Sequence, residues 1–197
     1  EIYKSNILNK RQAGAFCTYR AGDAPKYIWE SVQRNQIRIV TKDSTDYPER
    51  LRNIEDAPYI LYYYGELPKP DIPSVAIIGA RQCSEYGRKA AAFFARELAA
   101  AGIAVISGLA SGIDGVAQRS AVSNGGKSYG VLGSGVDVCY PYGNRDLYEQ
   151  LKISGGILSE FAPGTKPEAY NFPKRNRIIS GLADLILVIE AKEQSGT

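Results

Sequence analysis

Three apolar runs, each ending in glycine within about sixty residues, constrain this chain more than any other feature, because they repeat at the spacing of βαβ units. VAIIG (75–79) ends at Gly79 and passes through Ala80-Arg81 into a segment whose apolar positions Ala91, Phe94, Ala95 and Leu98 recur at helical spacing. IAVISG (103–108) ends at Gly108, and LASGID (109–114) opens a second helix; YGVLGSG (129–135) is a third copy. A glycine at a strand's carboxyl end permits a tight turn, and the next helix points its unpaired N–H groups at an arriving anion. Three such turns side by side favour a polyanion or a nucleotide over a single small metabolite. GGILSE (155–160) continues the pattern, and LILVIEA (185–191) is apolar throughout, which predicts a central strand buried on both faces. At least five parallel strands with intervening helices make a doubly wound α/β sheet, whose ligand crevice lies beyond the strands' carboxyl ends.

The first seventy residues differ in character. Residues 1–36 are polar with scattered apolar positions and fit one or two short helices, a partial N-terminal helical element ahead of a domain at 37–197 with its core at 74–197. Ile37–Val40 predicts a brief strand. Asp46 before Tyr47-Pro48 predicts an N-cap with a short helix over 49–54, and Tyr59–Tyr64 predicts a strand closed by Gly65. Pro68, Pro70 and Pro73 form a stiff connector that marks a boundary before the main domain. Tyr62, Tyr63 and Tyr64 are read as sheet packing ahead of base stacking.

Composition removes several classes of function. Histidine is absent, so no Ser-His-Asp or Cys-His site and no histidine metal cluster is available. Cys17, Cys83 and Cys139 are odd in number, far apart and without a CxxC pair, which predicts reduced thiols in a cytoplasmic chain. No apolar stretch approaches the length of a membrane helix, and a soluble protein is expected. Lys and Arg total 24 against 21 Asp and Glu, so any nucleic-acid site must be local. The chain opens at Glu1 without methionine and stops at a Ser-Gly-Thr turn, 195–197, and is expected to be a fragment.

NFPKRNR supplies the local charge. Lys174, Arg175 and Arg177 fall within four positions, with no acid between Asn171 and Gly181, in a segment read as a loop ahead of an ISGLA helix. Arginine suits bidentate phosphate contact, and Phe172 offers a stacking face. The candidate nucleic-acid contacts are Gly79, Ala80, Arg81 and Ser84 at the first turn, Gly108, Ser111 and Gly112 at the second, and Gly133, Ser134 and Gly135 at the third. Asn171, Phe172, Lys174, Arg175, Asn176 and Arg177 complete them. Backbone N–H groups at Gly79, Gly108 and Gly133, with Arg81, Lys174 and Arg175, are expected to hold successive phosphates while an unpaired base inserts beside Phe172. With about three to four cations engaged, log K should fall with log salt at a slope of roughly −2 to −3.

GARQCSEYGRKAA, SGLASGIDGVAQRSA, GVLGSGVDVCYPYGNRDLYE, GGILSEFAPGTKPEAYNFPKRNRIISGLADLILVIEA and, upstream, DYPERLRNIEDAPYILYYYGEL closely resemble the DNA-processing protein A family (DprA, also called Smf), from about Ile37 to Thr197. The resemblance implies an extended Rossmann-like domain with a mainly parallel sheet. It implies a non-enzymatic, cofactor-free protein that binds single-stranded DNA, protects it and hands it to the RecA recombinase during natural transformation, acting as a homodimer. The family's G-S/A-R turn matches Gly79-Ala80-Arg81, and its basic F-P-R/K-R-N segment matches Phe172, Pro173, Lys174, Arg175 and Asn176. One departure is Gln118 before Arg119-Ser120-Ala121, where members commonly carry histidine. Histidine-dependent catalysis would not survive that change, whereas binding would.

Other readings stay open on the residues alone. A nucleotide-binding enzyme of the phosphoribohydrolase-like Rossmann group is the main alternative, since Pro163-Gly164-Thr165 followed by Glu168 resembles part of a PGGxGTxxE signature. It lacks the double glycine, and Pro167 opposes a helix there. Gly79-Ala80-Arg81 does not continue as the GxGxxG of dinucleotide oxidoreductases. Asp114 reads as a helix cap or dipole partner ahead of a general base, and Glu160 and Glu190 as isolated carboxylates at strand ends. A purely structural or partner-binding module is the third reading.

Overall fold

The computed structural model describes residues 9–191, so the Ser-Gly-Thr turn expected at the end lies outside the described residues. The chain forms two compact units, residues 1–36 and 37–197. The first contains α1 (Lys10–Ala21) and α2 (Ala24–Arg34). Asn9 and Gln12 start α1 as a reciprocal capping box, each side chain accepting from the other's backbone N–H, and a proline occupies the first turn of α2.

The second unit runs β1 (Arg38–Thr41), α3 (Glu49–Arg52), β2 (Ile60–Gly65), β3 (Ser74–Gly79), α4 (Glu85–Ala100) and β4 (Ala104–Ser107). It continues with α5 (Ile113–Ser123), β5 (Ser128–Val131), α6 (Arg145–Ser154), β6 (Gly155–Ser159), α7 (Asn171–Leu182) and β7 (Leu185–Glu190). All seven strands form one sheet in the order β1-β2-β6-β5-β4-β3-β7. The pairs β6–β5, β5–β4, β4–β3 and β3–β7 are parallel, while β1–β2 and β2–β6 are antiparallel. This is the expected α/β fold with a mainly parallel sheet.

Period-two alternation assigns the two faces. Ala76, Ile106, Val131 and Leu158 point toward Leu51 of α3 and toward Ile178, Ile179 and Leu182 of α7. Ile77 and Val105 point the other way, toward Ala91 and Ala95 of α4 and Ile113, Ala117 and Ala121 of α5. Small residues on α4 and α5 let those helices lie close to the sheet.

Four expectations are corrected. β7 is an edge strand rather than a central one, pairing with β3 alone and exposing Leu185, Ile186 and Val188; an apolar run reveals burial tendency but not strand order. NFPKRNR is not a loop but the first turns of α7, where Pro173 is tolerated because its missing N–H falls among those without a helical acceptor. The short helix at 49–52 is capped at Pro48 and not at Asp46, whose N–H instead meets Ser44 Oγ. The proline-rich connector at 68–73 separates no bodies, because β1 and β2 on one side of it join the sheet through β6 on the other. Tyr62 and Tyr63 pack in the sheet as read. Among the described residues no helix is long and apolar enough to cross a membrane, and no His, Cys, Asp and Glu cluster could hold a metal.

Leu61 of β2 is fully buried in the same cluster as β4, β5 and α7. Leu61→Ala is expected to destabilise the domain by about 2–5 kcal/mol. In urea unfolding, β2 and the parallel strands should lose structure in a single shared transition.

Candidate functional site

Above the carboxyl ends of β3 and β4 lies a cleft of about 600 Å³, bounded by α7 from Phe172 to Ser180 and by Ile186 of β7. Helical geometry decides how α7 distributes its charges there. Asn171, Arg175, Ile178, Ile179 and Leu182 are buried, the i, i+4, i+7, i+8, i+11 stripe of a helix lying on a sheet. Arg175 therefore points inward although Lys174 and Arg177 flank it, since successive helical side chains diverge by about 100°.

The Arg175 guanidinium ends among strand termini. It is 4% exposed and donates to the carbonyl oxygens of Gly108, at 2.9 Å, and of Val131, while Nε meets Asn176 Oδ1 at 3.2 Å. Burial pushes its pKa down to about 10, with the Asp114 charge acting to raise it and Arg81 to lower it. Asp114, on the first turn of α5, is equally deep. Burial raises its carboxyl pKa, against the opposing pull of Arg175 and of the Gly108 and Gly79 amides. The Gly108 N–H donates to Asp114 Oδ2 at 3.1 Å. Asp114 is thus a structural carboxyl in the floor of the cleft, held by the Gly108 amide.

The glycine turns owe their glycines to packing against the protein's own groups. A Cβ at Gly108 would meet the Arg175 guanidinium at 2.5 Å, and one at Gly133 would meet the Phe172 ring at 2.8 Å. Gly112, the N-cap of α5, has φ +80° and lies against the carbonyls of Ala80 and Arg81, so the first two turns are in direct backbone contact. Of the amides expected to hold phosphates, that of Gly108 already donates to the Asp114 carboxyl.

The remaining candidates separate into cleft and support. Gly79, Arg81, Phe172, Arg175, Asn176 and Arg177 line the cleft. Arg81 is exposed, with its guanidinium 5.2 Å from the Phe172 ring centroid. Lys174, two positions after Phe172, is exposed, its ammonium 5.3 Å from the Tyr170 ring. Arg177 is tied to Glu160, at 2.6 and 2.7 Å, and to Asp56 at 2.9 Å, which fixes α7 to the end of β6. Ser84 caps α4 through Gly87 N and donates its own hydroxyl to Glu190. Ser134 is buried and donates to Val138 O, Gly135 N donates to Thr165 O, and Asn171 is buried beside Lys166 O. Ala80 supplies both backbone groups to neighbouring elements, and Ser111 is exposed on the second turn.

Two residues of this region escaped sequence reasoning as site members. Tyr140 is 45% exposed with its ring centroid 5.7 Å from that of Phe172, and nothing in its sequence surroundings signals that pairing. Glu190, read as an isolated carboxylate, reaches the N-terminus of α4; its place at the end of an apolar strand was the available signal. Gln118, where histidine was expected, is fully buried. It accepts from Leu109 N at 3.0 Å and donates to Tyr129 O at 3.0 Å, joining the second turn to β5 away from the cleft.

Residues 38–197 match the family described as DNA recombination-mediator protein A. The chain is 42% identical over 151 residues to DNA processing protein DprA of Streptococcus pneumoniae, covering 77% of this chain and 53% of that protein. It is 38% identical over 198 residues to Protein Smf of Escherichia coli, covering 100% of this chain and 52% of that protein. The chain therefore spans about half the length of the curated relatives it matches. The X-ray structure of S. pneumoniae DNA processing protein A superposes with a TM-score of 0.85 at 35% identity, over 96% of this chain and 65% of that one. DNA processing protein A of Helicobacter pylori, whose structure concerns its single-stranded DNA binding mode, gives 0.72 at 29% identity, over 82% and 72%.

Removing Arg175 takes the guanidinium away from the buried Asp114 carboxyl and from the Gly108 and Val131 carbonyls it donates to. Arg175→Met is expected to cost about 3–5 kcal/mol in thermal or urea unfolding. Asp114→Asn in the same chain should recover part of that loss.

Proposed function

This chain belongs to the DNA recombination-mediator protein A family, and we propose that it binds single-stranded DNA along the α7 face of the cleft as a binding protein rather than an enzyme. The observation that carries this reading is that two exposed cations each stand beside an aromatic ring, Arg81 over Phe172, with Tyr140 against the same ring, and Lys174 over Tyr170. Cations set next to aromatic faces suit a strand whose phosphates and unstacked bases alternate. The single-stranded DNA binding mode described for the H. pylori relative supports it, as does the family name. Duplex DNA fits poorly, since its bases are already stacked and paired. In keeping with the family resemblance, the bound strand is protected and passed to the RecA recombinase in the cytoplasm during transformation, and the working unit is a homodimer.

The enzyme reading is disfavoured by where the protein keeps its own carboxyl groups. Asp114 lies in the cleft floor and Glu190 lies against the N-terminus of α4, the two places where a free nucleotide's phosphates would be received in a dinucleotide-binding fold. Fewer cations face a ligand than NFPKRNR promises. Arg175 is buried on carbonyls and Arg177 is paired with Glu160 and Asp56, which leaves Arg81 and Lys174 for phosphates.

Fluorescence anisotropy with a labelled oligothymidylate tests this. With two phosphate contacts, log K should fall with log salt at a slope of about −1.4, shallower than the charge count of the segment suggests. Arg81→Ala and Lys174→Ala should each reduce the slope by about 0.7, whereas Arg177→Ala should leave it unchanged and lower stability instead. Phe172→Ala should weaken binding by about 1–3 kcal/mol without altering the slope. Displacement of the strand by millimolar AMP or NAD would reverse the assignment in favour of a nucleotide site.

A further inference from the structure

The turn that carries Arg81 is held at both ends by one residue on another strand. Glu190 closes β7. Its carbonyl oxygen accepts from Ala80 N at 2.7 Å, just before Arg81. Its carboxylate accepts from Ser84 N at 3.0 and 3.2 Å and from Ser84 Oγ at 2.9 Å, just after the turn. The β3–β7 register shifts between Ile78 and Gly79, so that Gly79 faces Glu190. A bulge of this kind re-aims the side chain that follows it. From the opposite side, Ile113 N donates to Ala80 O at 3.2 Å. The space for the carboxylate is provided by Gly87, where a Cβ would overlap Glu190 Oε2, with Ile113 next beyond the Glu190 carboxyl at 3.4 Å.

The charge of Glu190 runs against the function proposed for its neighbour. An anion beside a phosphate track repels a nucleic acid, so Glu190 weakens strand binding if charge alone matters. Its geometry argues the reverse, because the exposed Arg81 side chain has as its base a turn that this residue clamps. We propose that Glu190 is a positioning residue for strand binding, holding Ala80 and Ser84 so that Arg81 stands over Phe172 and meets a phosphate. The inference rests on the strand-binding role of Arg81 given above, and it predicts the opposite sign from electrostatics.

The test is oligothymidylate anisotropy at several salt concentrations, with circular dichroism melting as a check on folding, for Arg81→Ala, Glu190→Ala, Glu190→Gln, Gly87→Ala and the Arg81→Ala/Glu190→Ala pair. Glu190→Ala is expected to weaken binding about threefold to tenfold, within the usual coupling of contacting residues, although it removes a negative charge. Its salt slope should fall by about 0.7, the loss of one phosphate contact. Added to Arg81→Ala it should change nothing further. Gly87→Ala introduces the better helix former and displaces the flexible end of Glu190, so it should reproduce the loss in a chain that melts no lower than the parent. Glu190→Gln keeps an acceptor for Ser84 N and should retain the parent affinity. Tighter binding by Glu190→Ala, or a loss of equal size with and without Arg81, would overturn the positioning role and leave the strand-binding reading standing. An Arg81→Ala chain with undiminished affinity and slope would remove that reading, and the inference with it.

Discussion

A guanidinium buried at the ends of two strands organises the upper surface of this domain. Arg175 supplies the donors that the Gly108 and Val131 carbonyls lack where β4 and β5 stop, and it faces Asp114, which in turn accepts from the Gly108 amide. Buried polar and charged groups are costly in isolation, and these two persist because each sits among hydrogen-bonding partners. The arrangement sets the depth of α7 on the sheet. Beside it, Phe172 lies against Gly133, and Gly112 lets the first two glycine turns meet through the backbone.

Once Arg175 is drawn inward, the rest of the cationic segment divides. Lys174 is left on the outer surface, and Arg177 is turned toward Glu160 and Asp56, where it fastens α7 to β6 and to the loop after α3. Three basic residues that look equivalent in the chain therefore have three occupations: a strand-end clamp, a solvent-facing cation and an ion-pair anchor. The surface open to a ligand is narrower, more aromatic and less charged than the sequence suggests, with Arg81 arriving from the first turn to face Phe172.

Much of the architecture was legible because it is written in local periodicity. The apolar runs at 75–79, 103–108, 129–131 and 155–159 are strands in the parallel part of the sheet, and the turns after them open at the same edge. LILVIEA was recognised as a strand but misplaced, since its apolar character says nothing of its neighbours, and it lies at the edge next to β3. NFPKRNR was misread because its proline and charges look like a loop, while the buried stripe from Asn171 to Leu182 is visible only when the segment is read at helical period.

The sequence by itself determined the strand–turn–helix repeat, the crevice at the carboxyl ends and the concentration of charge near Phe172, because each is set by residues within a few positions of one another. Tertiary structure alone decided which charges face solvent. Arg175 meets carbonyls 67 and 44 positions away, and Glu190 meets a serine 106 positions away. Such pairings arise when distant strands end at the same level of one sheet, and no spacing along the chain records them.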